Sequence, residues 1–262
     1  MMQFMAKLVG KTRELALDVR CFGWMVLGRY ANQKSSINWP QEYDGPIYFR
    51  PHNSDFETLR KALRDKEYDT SFVPEVDDRI SDRYGEICQA GKTPIIIDAG
   101  ANIGAASIWY HAKFPRAKIA AIEPDPNNAA VLRKNVGQHA NITVLEAAVG
   151  SVPGTVSVIQ APLGWASQTV RSESGLPVVT IAQACQESSG DTLFIVKVDI
   201  EGFEADLFSE NLDWLDDAFV VAIEPHDWLL PGKRTSGNMQ KAIAQHPFEM
   251  FHHGENIIYV RL

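Results

Sequence analysis

The sequence predicts an α/β fold: a mainly parallel, doubly wound sheet with an N-terminal helical extension. Three observations point there. Short apolar runs at Pro94-Ile95-Ile96-Ile97, 119–122, 142–145, 193–196 and 219–223 lack polar alternation, as strands covered on both faces do. Stretches of helical character separate several of them, the rhythm of βαβ units. A glycine turn, Asp98-Ala99-Gly100-Ala101-Asn102-Ile103-Gly104, follows the first run.

Taken in order, residues 1–90 read as the helical extension and residues 91–262 as the main domain. Within 1–34, six Lys or Arg stand against two acids, and Leu8, Leu15, Val19 and Phe22 recur at near-helical spacing. Such a helix suits either an anionic membrane surface or packing on its own domain. Residues 38–46 are turn-rich, and Ile47-Tyr48-Phe49 reads as a short strand. Ser54-Asp55-Phe56-Glu57 reads as a capping box, opening a helix with Phe56, Leu59 and Leu63 on its apolar face. A helix runs from Gly104 to Phe114, stopped by Pro115. The next opens with Asp125 as N-cap and Pro126 at its first position. Residues 154–180 form a strand-rich excursion. A helix near 237–245 and two strands around His253-Gly254-Glu255-Asn256 close the chain.

Of the 262 residues, 45% are apolar and 22% charged, enough for a buried core and no signature of disorder. The 25 Lys and Arg against 33 Asp and Glu leave a net charge of −8, which argues against a nucleic-acid partner held through phosphates. Cys21, Cys88 and Cys185 lie far apart without paired spacing, so a reducing, cytoplasmic setting is expected, with peripheral membrane contact through residues 1–34 as the variant. No apolar run approaches the roughly 20 residues of a membrane span.

In a doubly wound sheet, ligands bind beyond the carboxyl ends of the strands, where strand order reverses. The first strand ends in Asp98 and the turn containing Gly100, Asn102 and Gly104. The second ends in Glu123-Pro124-Asp125, where an acid suits the diol of an adenosine ribose. Asp98, facing a pyrophosphate, would be electrostatically wrong, but it suits an ammonium. An adenosine joined to an amino-acid head describes S-adenosylmethionine, with Asp98 near its ammonium and Glu123 on its ribose. Glu146-Ala147, ending the third strand, sits where an adenine edge is expected. The fourth strand carries Lys197, Asp199 and Glu201, and the fifth ends in Glu224-Pro225-His226. Lys197, in a central apolar strand, needs a partner, with Asp199, Glu201 or Glu224 in reach. Clustered titratable groups at a cleft mark a site.

The segments 97–104, 121–127 and Lys197-Val198-Asp199-Ile200-Glu201-Gly202-Phe203-Glu204 resemble the FkbM-type methyltransferase family, over about residues 47–225. Upstream, Asn53-Ser54-Asp55 and Lys66-Glu67-Tyr68 are similar to that family's entry region. The resemblance implies a class I, Rossmann-like, S-adenosylmethionine-dependent methyltransferase acting on hydroxyls of sugars or natural products. On that reading His226 is the general base, with Asp199 in reserve. Glu201 and Glu224 orient the substrate or His226, and Lys197 holds the carboxylates. A divalent metal on Asp199, Glu201, Glu224 and His226 is a less favoured alternative. Tyr68 and Phe72 serve as a lid over the cofactor or as packing. Trp165 and Trp228 are candidates to stack on an acceptor sugar, while Trp39 and Trp214 read as core. Two readings from other classes stand beside this one: a nicotinamide-dependent oxidoreductase, which Asp98 disfavours, and a non-catalytic adaptor that keeps the fold.

Overall fold

In a computed structural model of the chain, residues 2–30, 35–39, 42–51, 53–160 and 167–262 are described. The chain divides into two compact units, Met1–Lys66 and Glu67–Leu262. The division precedes residue 90, where the sequence pattern changes, because the helix Pro74–Gln89 packs on the first strand of the main sheet.

The first unit contains a helix Met2–Phe22, a hairpin of strands Ser36–Trp39 and Tyr43–Tyr48, and a helix Asp55–Leu59. A wider turn prolongs that helix, with the Asp65 N–H donating to the Arg60 carbonyl at 2.8 Å in an i→i+5 bond. Phe56, Leu59 and Leu63 are buried as the periodicity predicts, and Phe22 packs on Phe56 with centroids 5.7 Å apart. Asp18 is fully buried but matched by two guanidinium groups, at 3.0 Å from Arg60 Nε and 2.8 Å from Arg64 Nη1. The capping box does not form. Ser54 has helical torsions (φ −69°, ψ −9°) that keep its hydroxyl from the helix N–H groups, and Glu57 turns to Arg60 at 2.7 Å. Arg13, Leu17 and Arg20 face outward on the N-terminal helix. Among the described residues, no helix is long and apolar enough to cross a membrane.

The second unit is built on seven strands: β1 (Pro94–Ala99), β2 (Lys118–Ile122), β3 (Ile142–Leu145), β4 (Thr192–Val198), β5 (Val220–Ile223), β6 (Phe248–His253) and β7 (Asn256–Arg261). Their spatial order is β6-β7-β5-β4-β1-β2-β3, with β1 to β5 parallel and β7 antiparallel to β5 and β6. The predicted doubly wound α/β sheet is therefore the observed one. Strand order reverses between β1 and β4, since the chain runs outward through β2 and β3 before returning to β4's place. The register aligns Ala99 with both Val198 and Ile122, Ile122 with Leu145, and Val198 with Ile223. The residues that follow, Gly100, Glu123, Glu146, Asp199 and Glu224, therefore line one edge of the sheet.

The helices Ala105–Lys113 (α1) and Pro126–Val136 (α2) follow β1 and β2. Asp125 caps α2, accepting the Asn127 N–H at 2.7 Å. The excursion predicted for 154–180 is a second sheet of Ala148–Val149, Gly154–Gln160, Ser167–Arg171 and Leu176–Val179. Trp165 lies outside the described residues. The helix Ile181–Ser188 opens on a reciprocal capping box of Thr180 and Gln183.

Candidate active site

The site grows from the reversal between β1 and β4. Gly100 takes φ +77°, and a Cβ there would lie 1.7 Å from the Asp199 carbonyl oxygen, so only glycine lets the two strand ends meet. The Asp199 N–H donates to the Ala99 carbonyl at 3.0 Å. Gly104 (φ +91°) lets the turn lie against α2, where a Cβ would meet Leu132 at 2.7 Å. Asn102 adopts φ +50°, which aims its backbone N–H at Glu123 Oε2, 2.8 Å away.

Glu123, 6% exposed, also accepts the Asp125 N–H at 2.9 Å and the Asn128 amide at 3.2 Å. Burial raises its pKa despite those three donors. Two carboxylate oxygens offer about four lone-pair sites, so Glu123 retains acceptor capacity for one more donor. Such a carboxylate could accept a hydroxyl of a bound ligand's diol.

Asp98 departs from the sequence reading. It is fully buried beneath the turn, its Oδ2 accepting the Ser107 hydroxyl at 2.6 Å and its Oδ1 lying 3.1 Å from Lys197 Nζ. That second contact is an ion pair without hydrogen-bond alignment. A cofactor ammonium meets no open carboxylate there, because the Lys197 ammonium already fills that role. Lys197, 2% exposed, donates to the Gly100 carbonyl at 2.7 Å and stands 3.7 Å from Asp199. Burial works against its charge, but Asp98 and then Asp199 outweigh it and hold its pKa above the ordinary lysine range. Its main partner is thus Asp98 across the β1–β4 register, rather than Glu201 or Glu224.

At the other side of the crevice, His226 is 2% exposed and stands among four carboxylates. Its Nδ1 is 2.7 Å from Glu204 Oε1, and its Nε2 is 3.6 Å from Asp199, 3.7 Å from Glu224 and 4.0 Å from Glu201. Burial lowers its pKa, but the Glu204 bond and the Asp199 charge prevail and lift it to about 9. The surrounding acids thus favour the protonated form of the ring, which is enclosed rather than open to solvent. Glu201 sits at φ +53° in a tight turn closed by the Phe203 N–H on the Ile200 carbonyl at 3.1 Å. That uncommon backbone conformation leaves its side chain 39% exposed, against 29% for Asp199 and 15% for Glu224. Burial, then the Asp199 charge, pushes the Glu201 carboxyl up to about 7. Asp199, Glu224 and His226 each place one ligand-type atom within 4.8 Å of the others.

Several expected residues lie apart from this cluster. Glu146 pairs with Arg133 at 2.7 Å, and Ala147 is buried beside it. Pro124 and Asp125 lead into α2, the aspartate serving as its cap. Tyr68 is no lid: it is buried against Trp109 and Tyr110, with centroids 6.1 and 5.6 Å away. Phe72 stays half-exposed against His253 at 4.7 Å. Trp39 and Trp214 are buried, whereas Trp228 is 57% exposed with its ring 6.2 Å from His226. Glu204, Ser107 and Asn128 are the partners sequence reasoning missed. Glu204 had a signal, as the last acid of the Lys-x-Asp-x-Glu-Gly-x-Glu stretch.

Residues 98–250, more than half of the chain, match the methyltransferase FkbM domain. The chain belongs to that family. Two relatives are the methyltransferase sdnD of Sordaria araneosa, 32% identical over 46% of this chain and 49% of its own length, and the 2-O-methyltransferase NoeI of Sinorhizobium fredii, 24% identical over 51% and 64%. The chain thus spans about half to two thirds of the length of these curated relatives. A crystal structure of Precorrin-6y C5,15-methyltransferase from Geobacter metallireducens superposes with TM-score 0.37 at 15% identity, over 64% of this chain and 78% of that one.

Proposed function

We propose that the chain transfers a methyl group from S-adenosylmethionine to a hydroxyl of a sugar or glycosylated small molecule. The observation that carries this reading is the β1–β4 reversal, which brings the Gly100 turn, Glu123, Asp199 and Glu224 to one edge of the sheet, with Glu201 beside His226. Membership in the FkbM family supports methyl transfer, and the name of NoeI, a 2-O-methyltransferase, supports oxygen as the acceptor atom.

When bound, S-adenosylmethionine supplies a methyl carbon made electrophilic by its sulfonium. Glu123 would hold the ribose, and the turn from Gly100 to Gly104 would take the rest of the cofactor against the strand end. The protein's main task is alignment of acceptor oxygen, methyl carbon and sulfur, worth roughly 7–11 kcal/mol. The acceptor hydroxyl must shed a proton as its oxygen–carbon bond forms and the electron pair of the breaking bond leaves with sulfur. On this reading Glu201 takes that proton; what supports it is that Glu201 is the most open carboxylate of the rim, whereas His226 is enclosed. Exposed Trp228 beside it offers an apolar face to the acceptor's ring.

Glu201→Gln tests the assignment. Turnover of a sugar-bearing acceptor, followed by mass detection of the added methyl, should fall about 10²-fold or more. Binding of S-adenosylhomocysteine, followed by calorimetry, should stay near the wild-type level. Undiminished turnover removes Glu201 from the mechanism, and absence of cofactor binding in the wild type removes the whole reading.

A further inference from the structure

We propose that Asp199, Glu224 and His226 bind one divalent cation, Mg2+ or Mn2+, at the carboxyl edge of β4 and β5. The purpose given to the ion rests on the reading above, whereas the site itself stands on geometry. Asp199 Oδ1 and Glu224 Oε1 lie 3.6 and 3.7 Å from His226 Nε2, and one atom from each residue falls within 4.8 Å of the other two. These separations are too long for hydrogen bonds. They suit ligands around a shared ion, since bonds of about 2.0–2.3 Å place neighbouring ligand atoms roughly 3–4 Å apart.

A second, independent observation concerns His226. The ring is 2% exposed, and fully buried Glu204 holds its Nδ1 at 2.7 Å. Nε2 is thereby aimed between two carboxylates. A carboxylate behind an imidazole, fixing the ring so that the far nitrogen meets an ion, is the outer-shell arrangement that orients histidine ligands. Charge points the same way. Asp199, Glu201, Glu204 and Glu224 all stand within 4.0 Å of the His226 ring nitrogens, and an ion among them would meet a neutral imidazole and carboxylates. One imidazole nitrogen with two carboxylates leaves coordination positions open, which two neighbouring hydroxyls of a sugar would fill beside Glu201.

Mn2+ alone, titrated into the full chain and followed by electron paramagnetic resonance, reads the site directly. One saturable ion per chain is expected. Glu224→Gln and Asp199→Asn should each weaken it at least tenfold, and Glu204→Gln by 10–100-fold through loss of ring orientation. Circular dichroism should show all three variants folded. Should one fail to fold, the remaining two decide between the same outcomes. No stoichiometric Mn2+, or binding that none of the substitutions weakens, overturns the site. S-adenosylhomocysteine binding measured in EDTA separates the two readings: if it persists while Mn2+ binding fails, only the metal site falls.

Discussion

Lys197 and Asp98 face each other from adjacent central strands, both essentially removed from water. A buried pair of this kind is weak evidence for stability, yet removing one member strands the other's charge and costs about 3–5 kcal/mol. Lys197→Met should therefore lower the unfolding free energy by about that amount, measured by urea titration. The double variant Lys197→Met/Asp98→Asn should recover much of the loss. If the single and double variants are equally destabilised, the pairing is not what balances Asp98. The sequence showed that Lys197 needs an acid but pointed to acids ahead of it in the chain. Its actual partner, Asp98, is 99 positions earlier and becomes adjacent only through parallel register, which no local pattern encodes. The same limit hid Glu204 behind His226, although both were visible as acids and bases near strand ends. Glu123 was legible because strand, turn and acid follow one another directly.

At the scale of elements, periodicity located the parallel strands and the helices between them, since each is set by its own apolar pattern. Pairing in the excursion around 154–180 depends instead on distant ties. Arg171, on a strand of the small sheet, makes two bonds to Asp206, at 2.8 Å through Nε and 2.7 Å through Nη2, and the Ser151 N–H adds a third at 3.1 Å. Burial works to raise the Asp206 pKa, but the Arg171 and Ser151 bonds prevail and lower it. A depressed native pKa means the carboxylate contributes stability above its unfolded value and loses it as pH falls through the native one. Asp206→Asn should cost about 1 kcal/mol at neutral pH. The gap between variant and wild type should narrow below about pH 4, where the unfolded carboxyl titrates. Thermal melts at several pH values measure it, and a gap that widens on acidification contradicts the sign.

For the whole molecule, the question is whether the site needs the N-terminal unit. Every candidate residue, from Tyr68 to Trp228, lies in the unit Glu67–Leu262. That unit has its own core, including Ile95, Ile97, Val196, Val198, Val221, Leu215 and Tyr259 on and around the sheet. The first 66 residues bury a separate set, with Phe22, Ile37, Ile47, Phe56, Leu59 and Leu63 nearly inaccessible. A boundary with a core on each side is where a domain can be cut. Residues 67–262 produced alone should therefore fold, by circular dichroism, and bind S-adenosylhomocysteine within about threefold of the full chain, a difference below about 1 kcal/mol. Turnover is the more informative readout of the pair. If cofactor binding survives the cut while methyl transfer to a sugar-bearing acceptor is lost, the N-terminal unit serves the acceptor or its delivery. If cofactor binding is lost as well, the site is not self-contained.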